Sequence, residues 1–380
     1  MTTAVLLVGG YGTRLRPLTI SKPKPLVEFG NKPIIEHQIE ALIKVGVKHI
    51  IMGVNYMPEK LNESVFEISQ RLNIRITINM EDEPLGTGRL LFKFMFYYSK
   101  CNKTLFSAGS IANAAKYLEN DEHFFVFNSD ITCEFPLQEF MDHHLKHDGI
   151  GTIAITKVDE PSKYGVLVYD ESTMKINKFV EKPAIFVSNK INAGLYLFRN
   201  AILDMIELKP TSIEREIFPK LASQNALYAF NMKGHWMDIG QPKDFIKGTS
   251  LYLNYLETIN DDSLIQDRKG FIGNVKMHHN VKIGVDVKIG PNVVIGCGVI
   301  IGNGVCIKNT TLLADCHVMD YSIINTCIIG WKCKIGKWAR LENQCILGED
   351  VRIGEEMCLN KCIVFPHKEI RESESEKIII

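Results

Sequence analysis

Apolar runs alternate with amphipathic stretches from the start of the chain to about Pro242. Val5 to Val8 reads as a strand, Ile34 to Val45 as a helix, Lys48 to Val54 as a strand, Leu61 to Arg71 as a helix and Ile74 to Ile78 as a strand. Unbroken β-branched and leucine runs, without polar alternation, mark strands covered on both faces. Strand and helix in turn predict βαβ units, hence an α/β domain with a mostly parallel sheet and helices on both sides. Ligands of such sheets collect at the carboxyl ends of the strands.

The pattern changes at about Phe271. Ile283-Gly284, Ile289-Gly290, Ile295-Gly296 and Ile301-Gly302 recur every six residues, and Ile307 keeps the phase. After a slip, Ile329-Gly330, Ile335-Gly336, Leu341, Leu347-Gly348, Ile353-Gly354 and Leu359 resume it. An aliphatic residue at one fixed place in a six-residue period predicts a parallel β-helix, three hexads to a coil. Steps of five between Leu312 and Ile324 predict a bulge or bend there. The expected organisation is residues 1–250, a connection over 251–270 and the coil over 271–380. Were the coil an acyltransferase, His278 and His279 would be its only candidate bases; scaffold, oligomer contact or regulation is the simpler role.

Charge narrows the partners. Lysine plus arginine equals aspartate plus glutamate at 44 each, so no overall field draws the protein to nucleic acid or to anionic lipid. No run of eighteen apolar residues and no leader pattern occurs, which predicts a cytoplasmic protein without a membrane segment. The cysteines are scattered without C-x-x-C spacing and are expected to be buried free thiols. His143, His144 and His147 show no zinc spacing and are expected to face solvent.

The candidate chemistry follows the first strand. Gly9-Gly10-Tyr11-Gly12-Thr13-Arg14-Leu15-Arg16-Pro17-Leu18 lets backbone N–H groups approach an anion, and Ser21-Lys22-Pro23-Lys24-Pro25-Leu26 adds positive charge beside them. Neither G-x-x-x-x-G-K-[ST] nor G-x-G-x-x-G fits the spacing, so the common ATPase and dinucleotide loops are disfavoured. Phosphate handling remains. The strand Phe124-Phe125-Val126-Phe127 ends in Asn128-Ser129-Asp130, which puts a carboxylate at the edge where the glycine loop lies. Alone, Asp130 would read as a turn aspartate. A second acid, Asp238 in Trp236-Met237-Asp238-Ile239-Gly240-Gln241-Pro242, sits among apolar residues ahead of a chain break and favours a pair that holds a divalent metal.

The glycine loop and the K-P-K-P-L segment resemble the nucleotide signature of the sugar-1-phosphate nucleotidyltransferase family. That resemblance implies a Rossmann-like nucleotidyltransferase domain with a mostly parallel mixed sheet, followed by a left-handed parallel β-helix. It implies nucleotide contacts at Leu7, Gly9, Gly10, Gly12, Thr13, Arg14, Gly86, Thr87 and Asp130, and catalytic roles for Arg14, Lys24, Asp130 and Asp238. By the same carry-over Asp130 and Asp238 hold Mg²⁺, while Gly165, Glu181, Lys182 and Asn192 receive the sugar phosphate. Residues 158–166, 210–214 and 365–370 resemble the eukaryotic mannose-1-phosphate guanylyltransferases of the catalytic β-type. Their reaction takes GTP and mannose 1-phosphate to GDP-mannose and pyrophosphate. The resemblance also implies homo-oligomers through the β-helix and association with a regulatory α-type paralogue. Two other readings stay open: a catalytically silent paralogue that senses GDP-mannose, and the same chemistry with UTP or dTTP and glucose 1-phosphate.

One stretch departs from the family pattern. The loop that in the family reads E-x-E-P-L-G-T-A-G is split here, Glu81 to Thr87 being separated from Ala108-Gly109 by residues 88–107. This segment carries Arg89, Lys93, Lys100 and Lys103, no acid, and a dense apolar block from Leu90 to Tyr98. A flap over the nucleotide, a partner- or membrane-contacting arm and a translated intron are its three possible origins.

Overall fold

The computed structural model describes residues 3–9, 12–54, 58–80, 107–207, 211–266 and 268–380. Gly10, Gly86, Thr87 and all of residues 88–107 except Ser107 lie outside the described residues. The chain forms two compact units. The first comprises Met1–Gly10, Ile35–Ile131 and Phe135–Gly234; the second comprises Tyr11–Ile34, Thr132–Glu134 and His235–Ile380.

The first unit is built on a nine-stranded sheet: β1 (Thr3–Val8), β2 (His49–Val54), β3 (Arg75–Met80), β4 (His123–Asn128), β5 (Gly151–Lys157), β6 (Gly165–Tyr169), β7 (Ile176–Glu181), β8 (Lys190–Arg199) and β9 (Leu227–Asn231). Its order is β7-β6-β8-β4-β1-β2-β3, with β5 pairing both β8 and β9. β4, β1, β2 and β3 run parallel, whereas β8 is antiparallel to β4 and β5. The expected mostly parallel mixed sheet is therefore present. Helices at Ile34–Lys44 and Pro58–Leu72 match the expected ones within a few residues. The core draws Val5, Ile51, Phe124, Val126, Tyr196 and Phe198 from the strands, with Ile111 and Phe218 from helices.

The histidine cluster is not solvated as expected. His144 follows Leu137 and Phe140 on the inward face of the helix Leu137–His144 and is fully buried. Their i, i+3, i+7 spacing is the apolar stripe of a helix, and the histidine continues it. His144 Nε2 lies 3.1 Å from His123 Nδ1, and both His144 Nδ1 and His147 Nε2 reach Thr152 Oγ1, at 2.6 and 2.9 Å. Burial, reinforced by His147, lowers the His144 pKa to about 3; burial, reinforced by His143, lowers that of His147 to about 4. Between pH 6.5 and those values the unfolded chain binds protons that the native one refuses, so stability falls as pH falls. The thermal midpoint is expected to drop steadily from pH 6.5 to 4. A midpoint constant over that range would show that these rings are not held neutral.

The second unit carries the β-helix. Its strands form three sheets, all parallel, in which each strand pairs with the one a coil later. Val275 faces Val293 across eighteen residues, and Val293 faces Thr310 across seventeen. The expected bulge near Leu312 is absent because the shorter coil loses its residue at a corner, where Asn309 takes φ 48°, while the ladder keeps its register. Two side chains per hexad fill the interior: the repeated aliphatic residue, as at Ile289, Ile295, Ile301, Ile307, Ile329, Ile335, Leu341 and Leu347, and a smaller residue two positions before it, as at Val293, Val299 and Ala339. The glycine after the aliphatic residue has a steric cause, since a Cβ on Gly330 would stand 2.4 Å from the Gly348 carbonyl oxygen. Cysteine is small enough to share this interior at 316, 327, 333, 345 and 362, but Cys297 and Cys358 are exposed, contrary to expectation. No disulfide is formed among the described cysteines.

A separate core lies on the coil's outer surface. Leu15, Leu18, Val27 and Phe29, from the segment that follows the glycine loop, pack with Met237, Ile239 and Phe245 and with Leu313, Ile328, Trp331 and Ile346 of the β-helix. Phe29 meets Phe245 edge to face at 5.3 Å.

Candidate active site

In the first unit the carboxyl ends of β1 and β4 stand side by side. Leu7 is opposite Asn128, and Ser129 donates its backbone N–H to the Leu7 carbonyl at 3.3 Å. Exposed Gly9 and half-buried Asp130 thus leave the sheet at one edge. Gln38, fully buried on the helix Ile34–Lys44, fixes the Asp130 turn by donating its Nε2 to the carbonyls of Asn128 at 2.9 Å and Ile131 at 3.2 Å. Sequence reasoning missed Gln38. Its signal was a lone amide among Ile34, Ile35, Ile39 and Leu42 on the inward face.

The predicted sugar-phosphate residues lie on β6, β7 and β8 or next to them. Gly165 pairs with Glu181 across the β6–β7 ladder, and a Cβ on Gly165 would come within 2.8 Å of Glu181 Oε2 and 2.6 Å of the Phe179 ring. Glycine there lets the carboxylate lie directly over backbone. Glu181 is largely shielded, while Lys182, with its Nζ 3.3 Å from Glu181 Oε1, is mostly exposed and takes φ 47°. That left-handed turn lifts the ammonium out of the strand's alternation. Asn192 begins a break in the register between β8 and β5. It donates Nδ2 to the Tyr196 hydroxyl at 2.8 Å and accepts the Gly194 N–H at 2.9 Å. Burial, aided by Glu214, holds the Tyr196 phenol well above its usual pKa, so it serves as a neutral acceptor for the amide. Gly194, at φ 77°, would bring a Cβ within 2.9 Å of Asn128 Nδ2. Tyr196 and Gly194 were missed, the bulge having no sequence signal beyond the glycine itself.

In the second unit Gly12 adopts φ 60° and its carbonyl accepts both the Leu15 N–H and the Thr19 hydroxyl, at 2.9 and 2.7 Å. This closes the turn that starts the short helix Thr13–Leu15 and leaves Thr13 and Arg14 exposed. Half-buried Asp238 ends the strand Trp236–Asp238. The decisive geometry surrounds buried Gly240: a Cβ there would stand 2.8 Å from Asp238 Oδ1, 3.0 Å from Arg14 Nη2 and 3.4 Å from Lys24 Nζ. Residues 14, 24 and 238 of the sequence therefore converge on one patch of bare backbone. Two cations and a carboxylate thus lie within 3.4 Å of one point over the backbone, an arrangement whose charges can receive a phosphate chain with its counter-ion. A hard carboxylate oxygen suits Mg²⁺, which completes its shell from phosphates and water. Asp130 belongs to the first unit and Asp238 to the second. Among the described residues no cluster of three or more His, Cys, Asp or Glu could hold a metal by itself.

Comparison with known proteins agrees with this chemistry. Residues 3–254 match the family described as nucleotidyl transferase, and residues 271–380 match a domain described as the GMPPB C-terminal domain. The chain is 48% identical to the mannose-1-phosphate guanylyltransferase catalytic subunit beta of Danio rerio and 48% identical to that of Dictyostelium discoideum, over 99% of each chain. It is 49% identical to the mannose-1-phosphate guanyltransferase of Kluyveromyces lactis over the same share of both. Among solved structures, HddC from Yersinia pseudotuberculosis complexed with GMP-PN shares 29% identity at a TM-score of 0.51, covering 65% of this chain and 98% of that one.

Proposed function

We propose, from the premise that the chain belongs to the nucleotidyl transferase family and to its mannose-1-phosphate guanylyltransferase branch, that it transfers guanylyl from GTP to mannose 1-phosphate, releasing pyrophosphate. The observation that carries this reading is the meeting of Arg14, Lys24 and Asp238 over Gly240.

The reaction joins two anions. A phosphate monoester has a second pKa of about 6, so mannose 1-phosphate is already a nucleophile at neutral pH and needs no general base. What the protein must supply is charge neutralisation and alignment for in-line attack on the α-phosphorus. Arg14 and Lys24 stand where they can take up negative charge on the triphosphate and on the departing pyrophosphate. Glu181 and Asn192 offer acceptors and a donor to sugar hydroxyls, and the exposed Lys182 ammonium meets the attacking phosphate. Asp130 and Asp238 would hold Mg²⁺, which when bound offsets charge on the phosphate oxygens.

No helix of the described residues is long and apolar enough to cross a membrane. A cytoplasmic location, with association through the β-helix to a second copy or to an α-type paralogue, completes the proposal. The test is pyrophosphate release with four nucleoside triphosphates against mannose 1-phosphate and glucose 1-phosphate. Turnover is expected to be greatest with GTP and mannose 1-phosphate. Release with no pair would reject the catalytic reading, and preference for UTP or dTTP with glucose 1-phosphate would reject the substrate assignment.

A further inference from the structure

Lys24 lies in a short proline-rich segment, whose path depends on what its polar neighbours grip. Two successive coils of the β-helix grip it. Trp331, 4% exposed, donates its indole N–H to Glu28 Oε2 at 2.8 Å and presents its ring to the Lys22 ammonium, 4.6 Å from the centroid. Lys22 also pairs with Glu28 Oε1, closing a three-membered cluster. One coil further on, Glu349 pairs with Lys332 at 2.7 Å and accepts a hydrogen bond from the Ser21 side chain; Lys332 and then Ser21 hold its carboxyl below the usual range. Pro23, Pro25 and Leu26 are buried, and Val27 and Phe29 just beyond them join the core shared with the β-helix.

The cluster grips Ser21, Lys22 and Glu28, while Lys24 in the middle of the same stretch carries its ammonium to Gly240, beside Asp238 and Arg14. A buried indole N–H requires an acceptor, and a guided lysine stem requires fixed flanks. From these contacts we infer that Trp331 and Glu349 are positioning residues for Lys24, so that the β-helix is a working part of the nucleotide site and not only a scaffold. The inference rests on the nucleotidyl-transfer reading. It assigns the coil a role in placing charge on the triphosphate, acting through Glu28, Lys22 and Ser21.

Trp331→Phe keeps a ring over Lys22 and removes the N–H; Glu28→Gln keeps an acceptor for the indole and removes the charge that holds Lys22. Each is expected to lower kcat with GTP about tenfold, because small displacements of a catalytic group carry large kinetic effects, with little change in KM for mannose 1-phosphate. In a Lys24→Gln background the same substitutions should add less than about a twofold loss, since what they position is gone. Equal losses in both backgrounds, or wild-type kinetics in both single variants, would overturn the inference. If Trp331→Phe fails to fold, Glu28→Gln carries the same cycle. A wild-type protein that released no pyrophosphate would defeat the functional reading instead. Amine labelling of Lys24 read by mass spectrometry would then decide the positioning alone: a changed labelling rate in Glu28→Gln supports it, and an unchanged rate overturns it.

Discussion

Asp238→Asn is expected to lower turnover by orders of magnitude while leaving the fold and the apparent affinity for GTP nearly intact. Asparagine has the shape of aspartate, and residue 238 is half-buried at the end of its strand, so packing with Met237 and Ile239 survives. The charge does not. With the carboxylate neutralised, Arg14 and Lys24 lose the anion beside them and become freer to bind phosphate, so KM for GTP should hold or fall. Catalysis suffers because one ligand of the proposed metal has gone, and charge stabilisation of this kind is worth about 10²–10³ in rate. Asp130→Asn should behave alike, with a raised Mg²⁺ requirement in both. Steady-state kinetics over a Mg²⁺ titration, alongside circular dichroism and melting curves, make the check. Near-normal turnover in both variants would reject the metal assignment.

Gly240→Ala should be nearly as damaging without altering any charge. The added methyl would fall 2.8 Å from Asp238 Oδ1 and 3.0 Å from Arg14 Nη2. These are the ends of side chains, which can move aside at small cost to folding, and Gly240 has no positive φ to forbid alanine. Their displacement is the functional damage: a shift of about 1 Å in a positioned group costs about 10²-fold in rate. The expected result is a loss of that order in kcat/KM for GTP with a melting temperature changed by no more than a few degrees. Wild-type kinetics in a folded Gly240→Ala protein would show that the three groups do not act together over that patch.

Periodicity made most of the fold legible. The helix Ile34–Lys44 and the strands β2 and β3 appear where the apolar spacing puts them, because each buries a face whose pattern is local. The six-residue repeat was plainer still, since every coil places aliphatic side chains inside, and many of its hexads add a glycine where the next coil passes. The histidines at 143, 144 and 147 were misread because a polar side chain on an inward stripe looks solvated until its partner is known. Thr152 and His123, on different strands, are that partner. Cys297 and Cys358 erred the other way, because the repeat has outward positions that accept a cysteine equally well.

The candidate site divides along the same line. Glycines 9 and 12, Arg14, Lys24 and the acids at 130 and 238 could be picked out because their residue types carry phosphate and metal chemistry wherever they are placed. Their supports could not. Gln38 beneath the Asp130 turn, Gly240 under the cations and Trp331 beside Lys22 each act through a neighbour distant in sequence, and Tyr196, four residues from Asn192, meets it only through a break in the strand register. By itself the amino-acid order determined the elements, the repeat and the inventory of reactive groups, all of which depend on spacing within a few turns of chain. Only the tertiary structure decided which of those groups meet, that residues 11–34 pack with the β-helix in one unit, and that bare backbone at Gly240 receives three side chains. Such contacts arise from long-range packing, and no local periodicity encodes them.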